Sequence, residues 1–331
     1  MRIDVHQHLW TEPLVSALAA RSELPFVRRE HGLTVLFLAG ERPYVIGAVG
    51  GEPAARAAQL EREGLDGALV CLSSPLGIER LPRAQSELLI DAFHDGASTL
   101  GPRFGVWGAI ALEAAGPNDV DRALARGRVG VSLPAGALAG VEALARLRPV
   151  LERLEQREAP LLVHPGPGLH AARAGGGLPD SSLTDPLWWP ALTRYVAQMQ
   201  AAWLAFVALG RSAHPSLRVI FTMLAGLAPL QGERLRARGG RASSRGDRSI
   251  FYETSSYGPA SVRRMAEVVG PDQLLYGSDR PVADPADSGM PGALDWSAIE
   301  DATRRALGDR GLAPSLGSRG GRRGREPALA R

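Results

Sequence analysis

Two histidines near the start of the chain, His6 and His8, stand two residues apart, directly after the short strand-like run Ile3 to Val5. Successive side chains of a β-strand point to opposite faces, so residues two apart share a face and both imidazoles can reach one metal ion. A helical pair of metal-binding histidines needs a spacing of three or four instead. Because the pattern also fits two polar residues on a frayed N-terminus, its meaning depends on the rest of the chain.

Two further strand-like runs end in residues of types that bind metals. His164 follows the apolar run Leu161 to Val163, and Asp279 follows a second run of this kind. Such a residue at the carboxyl end of a buried strand is typical of a functional site, although a lone histidine there fits a hydrogen-bonded core residue equally well. Three histidines and one carboxylate suit zinc or a similar divalent ion with a position left for water. We therefore predict one metal site, formed by His6, His8, His164 and Asp279.

Short apolar runs that indicate buried strands alternate with amphipathic runs along the chain. We predict eight strands, at Ile3 to Val5, Ala68 to Leu72, Phe104 to Ala109, Gly130 to Leu133, Pro160 to His164, Leu217 to Phe221, Ile250 to Glu253 and Leu274 to Gly277. Helices are predicted at Pro53 to Glu63, Arg83 to Leu100, Val141 to Gln156, Ser261 to Val269 and Trp296 to Leu307. This alternation predicts parallel strands joined by right-handed crossovers, closed into an α/β fold of the (β/α)8 TIM-type barrel. The proposed ligands then lie at carboxyl ends of strands, where barrels carry their active sites.

Two segments depart from this alternation. Thr34 to Leu38 and Tyr44 to Ile46 predict a β-hairpin inserted after the first strand, where it would lie as a flap over the barrel mouth. From Leu312 onward Gly, Arg, Pro and Ser dominate and apolar periodicity ends, which predicts a disordered, solvated tail. The predicted organisation is one barrel domain over residues 1–311 and a tail over residues 312–331.

The composition indicates a globular protein with nearly balanced charges, with 38 basic and 35 acidic residues among 331. Arginine alone carries the slight positive excess, which indicates a coding bias rather than a surface for nucleic acid. The single cysteine, Cys71, excludes an internal disulfide and fits a reducing compartment, and its apolar neighbours predict a core residue rather than a nucleophile. We expect a cytoplasmic protein, because no signal peptide precedes the candidate ligands.

The apolar segment Leu187 to Leu209 is the one stretch that resembles a membrane span. It contains Arg194, Gln198 and Gln200, which are unfavourable at the centre of a bilayer, so a long buried or interface helix is predicted instead. Its apolar content exceeds what one amphipathic barrel helix needs. We therefore expect this helix to bury part of a symmetric homodimer contact.

Taken together, these residues resemble the amidohydrolase superfamily, in the amidohydrolase-2 branch that includes aminocarboxymuconate-semialdehyde decarboxylase. The matching motifs are Asp4 to His8, Val163 to Pro165 and Tyr276 to Pro281, with weaker matches at Pro102 to Phe104, Trp188-Trp189 and His214 to Ile220. The resemblance runs from Met1 to about Leu307. It implies that the four proposed ligands hold one divalent metal ion, usually zinc. It also implies hydrolase or non-oxidative decarboxylase activity, often in homodimers.

One position departs from the family pattern. After the sixth strand the family usually carries a histidine in a His-x-Gly-Gly turn, whereas this chain has Met223 at that place. A thioether cannot exchange a proton at neutral pH. His214 precedes the strand and should lie at the opposite end of the barrel. His170, in the Gly-rich loop after the fifth strand, is at the correct end but fits a surface loop residue as well.

The missing histidine favours hydrolysis, because the resemblance implies that decarboxylation relies on that side chain. Zinc lowers the pKa of bound water to about 7, and Asp279 would accept its proton and pass it to the leaving group. We therefore predict a metal-dependent hydrolase in which metal-activated water attacks a C–N or C–O bond of a small, carboxylate-bearing substrate, with Asp279 catalytic. The alternatives are a non-oxidative decarboxylase and a metal-free or non-catalytic barrel that binds a small molecule or a partner protein.

Three further residues are candidates for substrate contact or support of the site. Arg280 would bind a substrate carboxylate through paired hydrogen bonds, or would point outward and pair with a loop acid such as Asp284. Trp189 would wall the pocket, or would anchor packing. Glu253 ends the seventh strand beside Tyr252, and only one of these two neighbours can face the barrel interior.

Overall fold

The computed structural model describes residues 1–46, 53–169, 185–240, 246–283 and 295–310. His170, Asp284 and the predicted tail from residue 312 lie outside the described residues. The strands are β1 (Ile3–Gln7), β2 (Phe26–Glu30), β3 (Leu33–Phe37), β4 (Tyr44–Ile46), β5 (Gly67–Val70), β6 (Phe104–Val106), β7 (Val131–Pro134), β8 (Leu161–His164), β9 (Val219–Phe221), β10 (Ile250–Glu253) and β11 (Leu274–Leu275). All but β2, β3 and β4 belong to the barrel, and each barrel strand overlaps one of the eight predicted strands.

Parallel pairing links the barrel strands in chain order. One sheet runs from β1 through β5 to β6, and the other runs from β7 through β8, β9 and β10 to β11. A bridge between Gly108 and Val131 joins the two sheets at one junction. At the other junction, the amide of Val5 donates to the carbonyl of Tyr276 at 2.9 Å. The fold is therefore the α/β, (β/α)8 TIM-type barrel that the alternation predicted.

Inward side chains of the strands fill the barrel. They form one buried cluster that includes Ile3, Val5, Leu69, Trp107, Leu162, Ile220, Phe251 and Leu275. In β8, Leu162 belongs to this inner cluster, whereas Leu161 and Val163 belong to the large cluster that packs the helices on the strands. This alternation is expected of a strand between a filled barrel and a helical layer, with both faces buried.

The outer layer consists of α1 (Glu12–Ala19), α2 (Pro53–Arg62), α3 (Arg83–Ala97), α4 (Pro117–Ala125), α5 (Val141–Gln156), α6 (Trp189–Leu192), α7 (Arg194–Ala205), α8 (Gly232–Ala237), α9 (Pro259–Val269) and α10 (Trp296–Leu307). The five predicted helices are present, and α5 and α10 have the predicted bounds. The start of α10 follows from capping, because the Asp295 carboxylate accepts from the amides of Ser297 and Ala298 at 3.1 and 3.3 Å. The sequence analysis missed α1, α4 and α8, which have only 8, 9 and 6 residues.

The flap inserted after β1 and α1 is a three-stranded antiparallel sheet, not the two-stranded hairpin predicted. β2 precedes the two expected strands and pairs with β3 along its whole length. The turn between them uses His31 and Gly32 with φ angles of 51° and 78°, two positive values that suit a type I′ hairpin. The sequence analysis missed β2 because its polar residues Arg28, Arg29 and Glu30 show no apolar alternation.

The segment predicted as one long helix, Leu187 to Leu209, is broken. α6 ends where Thr193 leaves helical geometry, at φ −119° and ψ −81°, and both the amide and the hydroxyl of Thr193 donate to the carbonyl of Trp189. α7 then runs to Ala205 and continues as a π-helical turn to Gly210. A side-chain hydroxyl that competes for a backbone carbonyl interrupts helices in this way. Among the residues described, no helix is both long and apolar enough to pass through a membrane.

Candidate metal centre

A β-bulge in β1 sets the direction of the first two candidate ligands. Between Asp4 and Gln7 the register with β5 shifts, so three steps along β1 match two along β5. Val5 belongs to the inner cluster, whereas Gln7 turns outward and its side-chain amide donates to Asp4 at 2.6 Å. Strict alternation from Val5 would send His6 outward. The extra residue in the bulge allows His6 and His8 to face the barrel interior together.

Three imidazole Nε2 atoms converge at the carboxyl ends of β1 and β8. The Nε2 atom of His8 lies 3.2 Å from that of His6 and 3.2 Å from that of His164. Each pair of ring centroids is 4.9 Å apart, and all three side chains are buried. The structure thus brings together the three histidines that the sequence analysis grouped.

The other nitrogen of each ring has an acceptor. Nδ1 of His6 lies 3.1 Å from a carboxylate oxygen of Glu253, and Nδ1 of His8 and of His164 lie 3.0 and 2.8 Å from backbone carbonyl oxygens. An acceptor at Nδ1 keeps the proton of a neutral imidazole there, so each Nε2 directs a lone pair at the common centre. Three lone pairs at this separation repel each other unless a cation lies between them.

Asp279 adds a carboxylate at the open side of this cluster. Its Oδ1 lies 3.1 Å from Nε2 of His8 and 3.6 Å from Nε2 of His6, and its side chain is 16% exposed. The amide of Asp279 donates to the carbonyl of His6 at 3.0 Å, which links the end of the barrel to β1. Asp279 has a left-handed backbone with φ of 57°. Aspartate tolerates this region better than most residues, and such outliers concentrate at functional sites.

Glu253 is a buried supporting residue whose orientation the sequence left open. Its carboxylate accepts from Nδ1 of His6, from the amide of Met223 at 3.1 Å and from the hydroxyl of Ser255 at 2.8 Å. An ideal Cβ on Gly277 would overlap this carboxylate, so the glycine two residues after β11 makes room for it. The neighbouring Tyr252 hydroxyl instead accepts from the indole of a helical tryptophan. Glu253 is therefore the inward neighbour of the pair.

Met223 begins an unusual left-handed turn after β9. Five consecutive residues, Met223 to Leu227, have φ angles of 41°, 51°, 55°, 59° and 62°. Each non-glycine residue in this region costs about 1–2 kcal/mol, so the buried surroundings must hold the turn in place. Met223 is itself buried, and its amide is bound to the Glu253 carboxylate. Met223, where the chain departs from the family pattern, is thus hydrogen-bonded through its backbone amide to Glu253. Glu253 is also the residue that accepts from Nδ1 of His6.

Cys71 lies beside the imidazoles. It follows β5, is buried, and places Sγ 3.6 Å from Nδ1 of His8. Ligand-type atoms of Cys71 and the three histidines all lie within 4.8 Å of one another. The sequence analysis treated Cys71 as a core residue, and the structure does place it in the inner apolar cluster. Its proximity to the histidines had no sequence signal, because nothing in the apolar run distinguishes this position from its neighbours.

Burial and mutual charge separate the pKa values of the cluster. Burial lowers the pKa of His164, and charge on His6 and His8 holds it well below its usual value. Burial also opposes charge on His8, but Cys71 and Asp279 raise its pKa to about 9. Burial disfavours the Asp279 carboxylate, yet His8 and the other imidazoles hold its pKa below the ordinary value. Because imidazoles must be neutral to bind a metal ion, metal binding here would release protons.

The donor set fits a divalent metal ion. Zinc–nitrogen bonds are about 2.0–2.1 Å long, so two nitrogens on a tetrahedral ion stand about 3.3 Å apart. The Nε2 separations of 3.2 Å match that edge. Three imidazoles with one carboxylate accept zinc and other divalent transition metals. The fit therefore supports a divalent ion without restricting the site to zinc.

The flap borders the candidate centre. Glu41, in the turn between β3 and β4, accepts a hydrogen bond from the Arg194 guanidinium at 2.8 Å and another from the Tyr195 hydroxyl. Both partners belong to α7, so these bonds fasten the tip of the flap to the barrel. Burial raises the pKa of the Tyr44 hydroxyl, and the nearby charges of Glu41 and Asp279 raise it further. The Asp279 charge thus acts on Tyr44 of the flap.

Arg280 and Trp189, the predicted substrate contacts, lie apart from the converging histidines. The Arg280 guanidinium forms a salt bridge of 2.7 Å with Glu63, in the segment after α2, so it is directed to the helical layer. This agrees with the outward alternative, with Glu63 rather than Asp284 as partner. Trp189 is 43% exposed, and its ring centroid lies 5.8 Å from that of Trp188. The structure thus places Arg280 in an ion pair with Glu63 and Trp189 in an exposed aromatic pair, and their contact with substrate stays a prediction.

No family model matches this chain, and no curated protein matches it. Among solved structures, the IDCase of Metarhizium anisopliae in its apo form has a TM-score of 0.68 and 16% identity, with 96% of this chain and 93% of that chain covered. An amidohydrolase II structure has a TM-score of 0.67 and 18% identity, over 93% of this chain and 99% of that chain.

A third similar structure contains a metal ion. The 5-carboxyvanillate decarboxylase of Novosphingobium aromaticivorans, complexed with manganese and 4-hydroxy-3-methoxy-5-nitrobenzoic acid, has a TM-score of 0.63 and 16% identity, over 94% of each chain. Identities this low establish the fold alone. The chain thus shares its barrel fold with these solved structures.

Proposed function

We propose that this chain is a metal-dependent carboxy-lyase that removes carbon dioxide, without oxidation, from a small aromatic or unsaturated carboxylate. The observation that carries the proposal is the convergence of three imidazole Nε2 atoms beside the Asp279 carboxylate. The reaction class is supported by the shared fold with a decarboxylase whose structure contains manganese and an aromatic carboxylic acid. Decarboxylation was the alternative in the sequence analysis, and the comparisons favour it over hydrolysis, which is not confirmed.

In this proposal the metal ligands are His6, His8, His164 and Asp279. A divalent ion bound there supplies positive charge that holds a substrate carboxylate and offsets negative charge that develops during the reaction. Glu253 keeps the proton of His6 on Nδ1 and fixes the orientation of that ring. The flap at Tyr44 would limit the entry of water and the size of the substrate.

Decarboxylation also needs a proton carrier. When the bond between the substrate carbon and the carboxylate breaks, carbon dioxide leaves and a proton must take its place on that carbon. Asp279 lies at the open side of the cluster, so it would take a proton from the substrate or solvent and deliver it to the carbon. Met223 cannot share this role, because a thioether does not exchange protons.

Hydrolysis of a C–N or C–O bond is the second candidate, and Met223 favours it. A hydrolase of this kind needs a carboxylate to move a proton from water to the leaving group, and it does not need the histidine that is missing after β9. Asp279 would perform this transfer. The two candidates thus share one metal centre and one proton carrier and differ in the bond that breaks.

A substrate panel tests the proposal. The purified protein, loaded with zinc or with manganese, is incubated with aromatic and unsaturated carboxylates and, separately, with esters, lactones and amides. We expect release of carbon dioxide from a carboxylate and dependence of that release on the metal. Hydrolysis without any release of carbon dioxide would reverse the ranking. Activity that survives complete metal removal would instead favour a metal-free barrel.

A further inference from the structure

We propose that Cys71 provides a thiolate ligand to the metal ion and that this sulfur makes the centre selective for zinc over manganese. The inference rests on the proposed metal centre and adds a donor to its ligand set. It concerns the most buried part of the site, where Cys71 is 1% exposed and belongs to the inner apolar cluster. It predicts the class of metal that this chain holds.

The position of Cys71 follows from strand pairing. Cys71 is the residue after β5, the strand that pairs with β1, and its amide donates to the carbonyl of Gln7 at 2.9 Å. Gln7 lies between His6 and His8, so this hydrogen bond holds Cys71 level with them. The Cys71 carbonyl accepts from Nδ1 of His8 at 3.0 Å, and Sγ lies 3.6 Å from the same nitrogen. The thiol is thus held against the rings by the backbone of both strands.

One ion can bind all these donors once the Cys71 side chain turns toward it. Zinc–sulfur bonds are about 2.3 Å and zinc–nitrogen bonds about 2.0–2.1 Å, so sulfur and nitrogen stand about 3.6 Å apart on a tetrahedral ion and at most about 4.4 Å apart on any ion. Ligand-type atoms of Cys71, His6, His8 and His164 lie within 4.8 Å of one another. Sγ lies beside Nδ1 of His8 in this structure, so a rotation of the Cys71 side chain must bring the sulfur toward the Nε2 atoms when the ion binds.

The surroundings of Cys71 favour a metal-bound sulfur over a free thiolate. Cys71 is 1% exposed and caps the inner apolar cluster, where an isolated charge would be strongly disfavoured. A divalent ion compensates that charge, and the thiol proton leaves to solvent when the sulfur binds. Thiolate is a soft donor that prefers zinc, whereas manganese prefers oxygen donors. A sulfur on the inner side also leaves the edge near Asp279 open to substrate.

Cobalt(II) provides a direct test, because it substitutes for zinc and its thiolate complexes absorb strongly in the near ultraviolet through charge transfer. The whole sequence contains one cysteine, so such an absorption from the purified protein can come only from Cys71. We expect the wild type to show the band. We expect Cys71→Ser to bind cobalt without it, with zinc affinity lowered ~100-fold and manganese affinity nearly unchanged.

The outcomes separate this inference from the proposed function. Cobalt bound by the wild type without a near-ultraviolet band would overturn the role of Cys71 and leave the metal centre intact. A wild type that binds neither cobalt nor zinc would overturn both. Equal losses of zinc and manganese affinity in Cys71→Ser would contradict the selectivity. The wild-type spectrum needs no variant, so the test stands even where Cys71→Ser and Cys71→Ala fold poorly.

Discussion

Glu253 connects two strands through one buried carboxylate. It is fully buried, yet its oxygens receive hydrogen bonds from His6 on β1, from the backbone of Met223 after β9 and from Ser255. Charge-assisted bonds of this kind are stronger than neutral ones, and their loss would leave a buried charge without partners. Orientation of the proposed ligand His6 and the shape of the turn at Met223 are therefore coupled through a single side chain.

The role of Asp279 as proton carrier leads to the first prediction. Asp279→Asn should lose most activity while it retains metal, because the amide can neither accept nor return a proton and three imidazoles remain as ligands. Metal content by elemental analysis and turnover on the best substrate of the panel measure the two effects separately. Simultaneous loss of metal and activity would mean that Asp279 acts chiefly as a ligand.

His94 leads to a prediction about acid stability. It is buried and its Nε2 accepts from the amide of Ala109 at 3.1 Å, while burial, followed by Arg128 and Arg126, lowers its pKa to about 3. An unfolded histidine titrates near 6.5, so between about 3 and 6.5 only the unfolded chain binds this proton. The free energy of unfolding should therefore fall as the pH falls through this window, by about 1.4 kcal/mol per pH unit from this group.

Urea unfolding of wild type and His94→Gln, followed from pH 6.5 to 4.5, measures this contribution. The glutamine oxygen can still accept from Ala109 but does not titrate, so the slope in the variant should be smaller by about one proton. Groups elsewhere in the chain titrate alike in both proteins and cancel. Identical slopes would mean that folded His94 takes up its proton in the same range as the unfolded chain.

At the scale of elements, the flap is joined to the barrel by two unlike ion pairs. Glu41 and Arg194, at its tip, are only 15% and 19% exposed, whereas Arg29 and Glu12, at its base, are 49% and 70% exposed. Exposed pairs contribute little because water and salt screen them, while a partly buried pair with a second donor such as Tyr195 contributes more. The tip contact is thus the one that holds the turn between β3 and β4 against α7.

We therefore predict that Glu41→Gln increases amide hydrogen exchange in residues 33–46 several-fold. The neutral amide cannot retain the charge-assisted bond to Arg194, so the flap opens more often. Glu12→Gln is the matched control, since it removes the same charge from the exposed pair and should leave exchange unchanged. Equal exchange in Glu41→Gln and wild type would show that apolar packing alone holds the flap.

At the scale of the whole molecule, the region around α6 exposes an apolar surface. Leu187, Trp188, Trp189 and Leu192 are 64%, 55%, 43% and 66% exposed. Contiguous apolar side chains of this size usually mark an interface. The break at Thr193 separates them from the buried face of α7, so the homodimer expected from the long helix would now use the short α6 instead.

The corresponding prediction is that the protein is a homodimer in solution and that Leu192→Glu makes it monomeric, because a buried charge would be unpaired at the interface. Leu88→Glu, which changes an exposed leucine of α3 that is 62% exposed, is the control and should leave the dimer intact. Light scattering at micromolar concentration measures the molar mass of each protein and so distinguishes monomer from dimer. A monomeric wild type would refute the dimer.

The parts of the molecule that were predictable are those that depend on regular periodicity. Apolar runs ending in His164 and Asp279 are visible because parallel strands in a barrel are buried on both faces and end at a common edge. The bulge in β1, the inward turn of Glu253 and the break at Thr193 were not predictable. Each depends on a hydrogen bond to a residue distant in the chain or on one competing local hydrogen bond. Neither kind of bond changes the spacing of apolar residues, so the sequence pattern does not predict it.

The bulge in β1 has a consequence for how this barrel can change during evolution. The bulge absorbs one extra residue between Asp4 and Gln7, so deletion of Val5 would restore regular pairing with β5 and would leave His6, Gln7 and His8 on the faces that they have now. The apolar layers beneath, formed by the other strands, would keep their packing. Such a deletion would remove the Val5 side chain from the inner cluster and keep the histidine pair, so the pair can outlast the bulge during evolution and is lost only when a histidine itself is replaced or deleted.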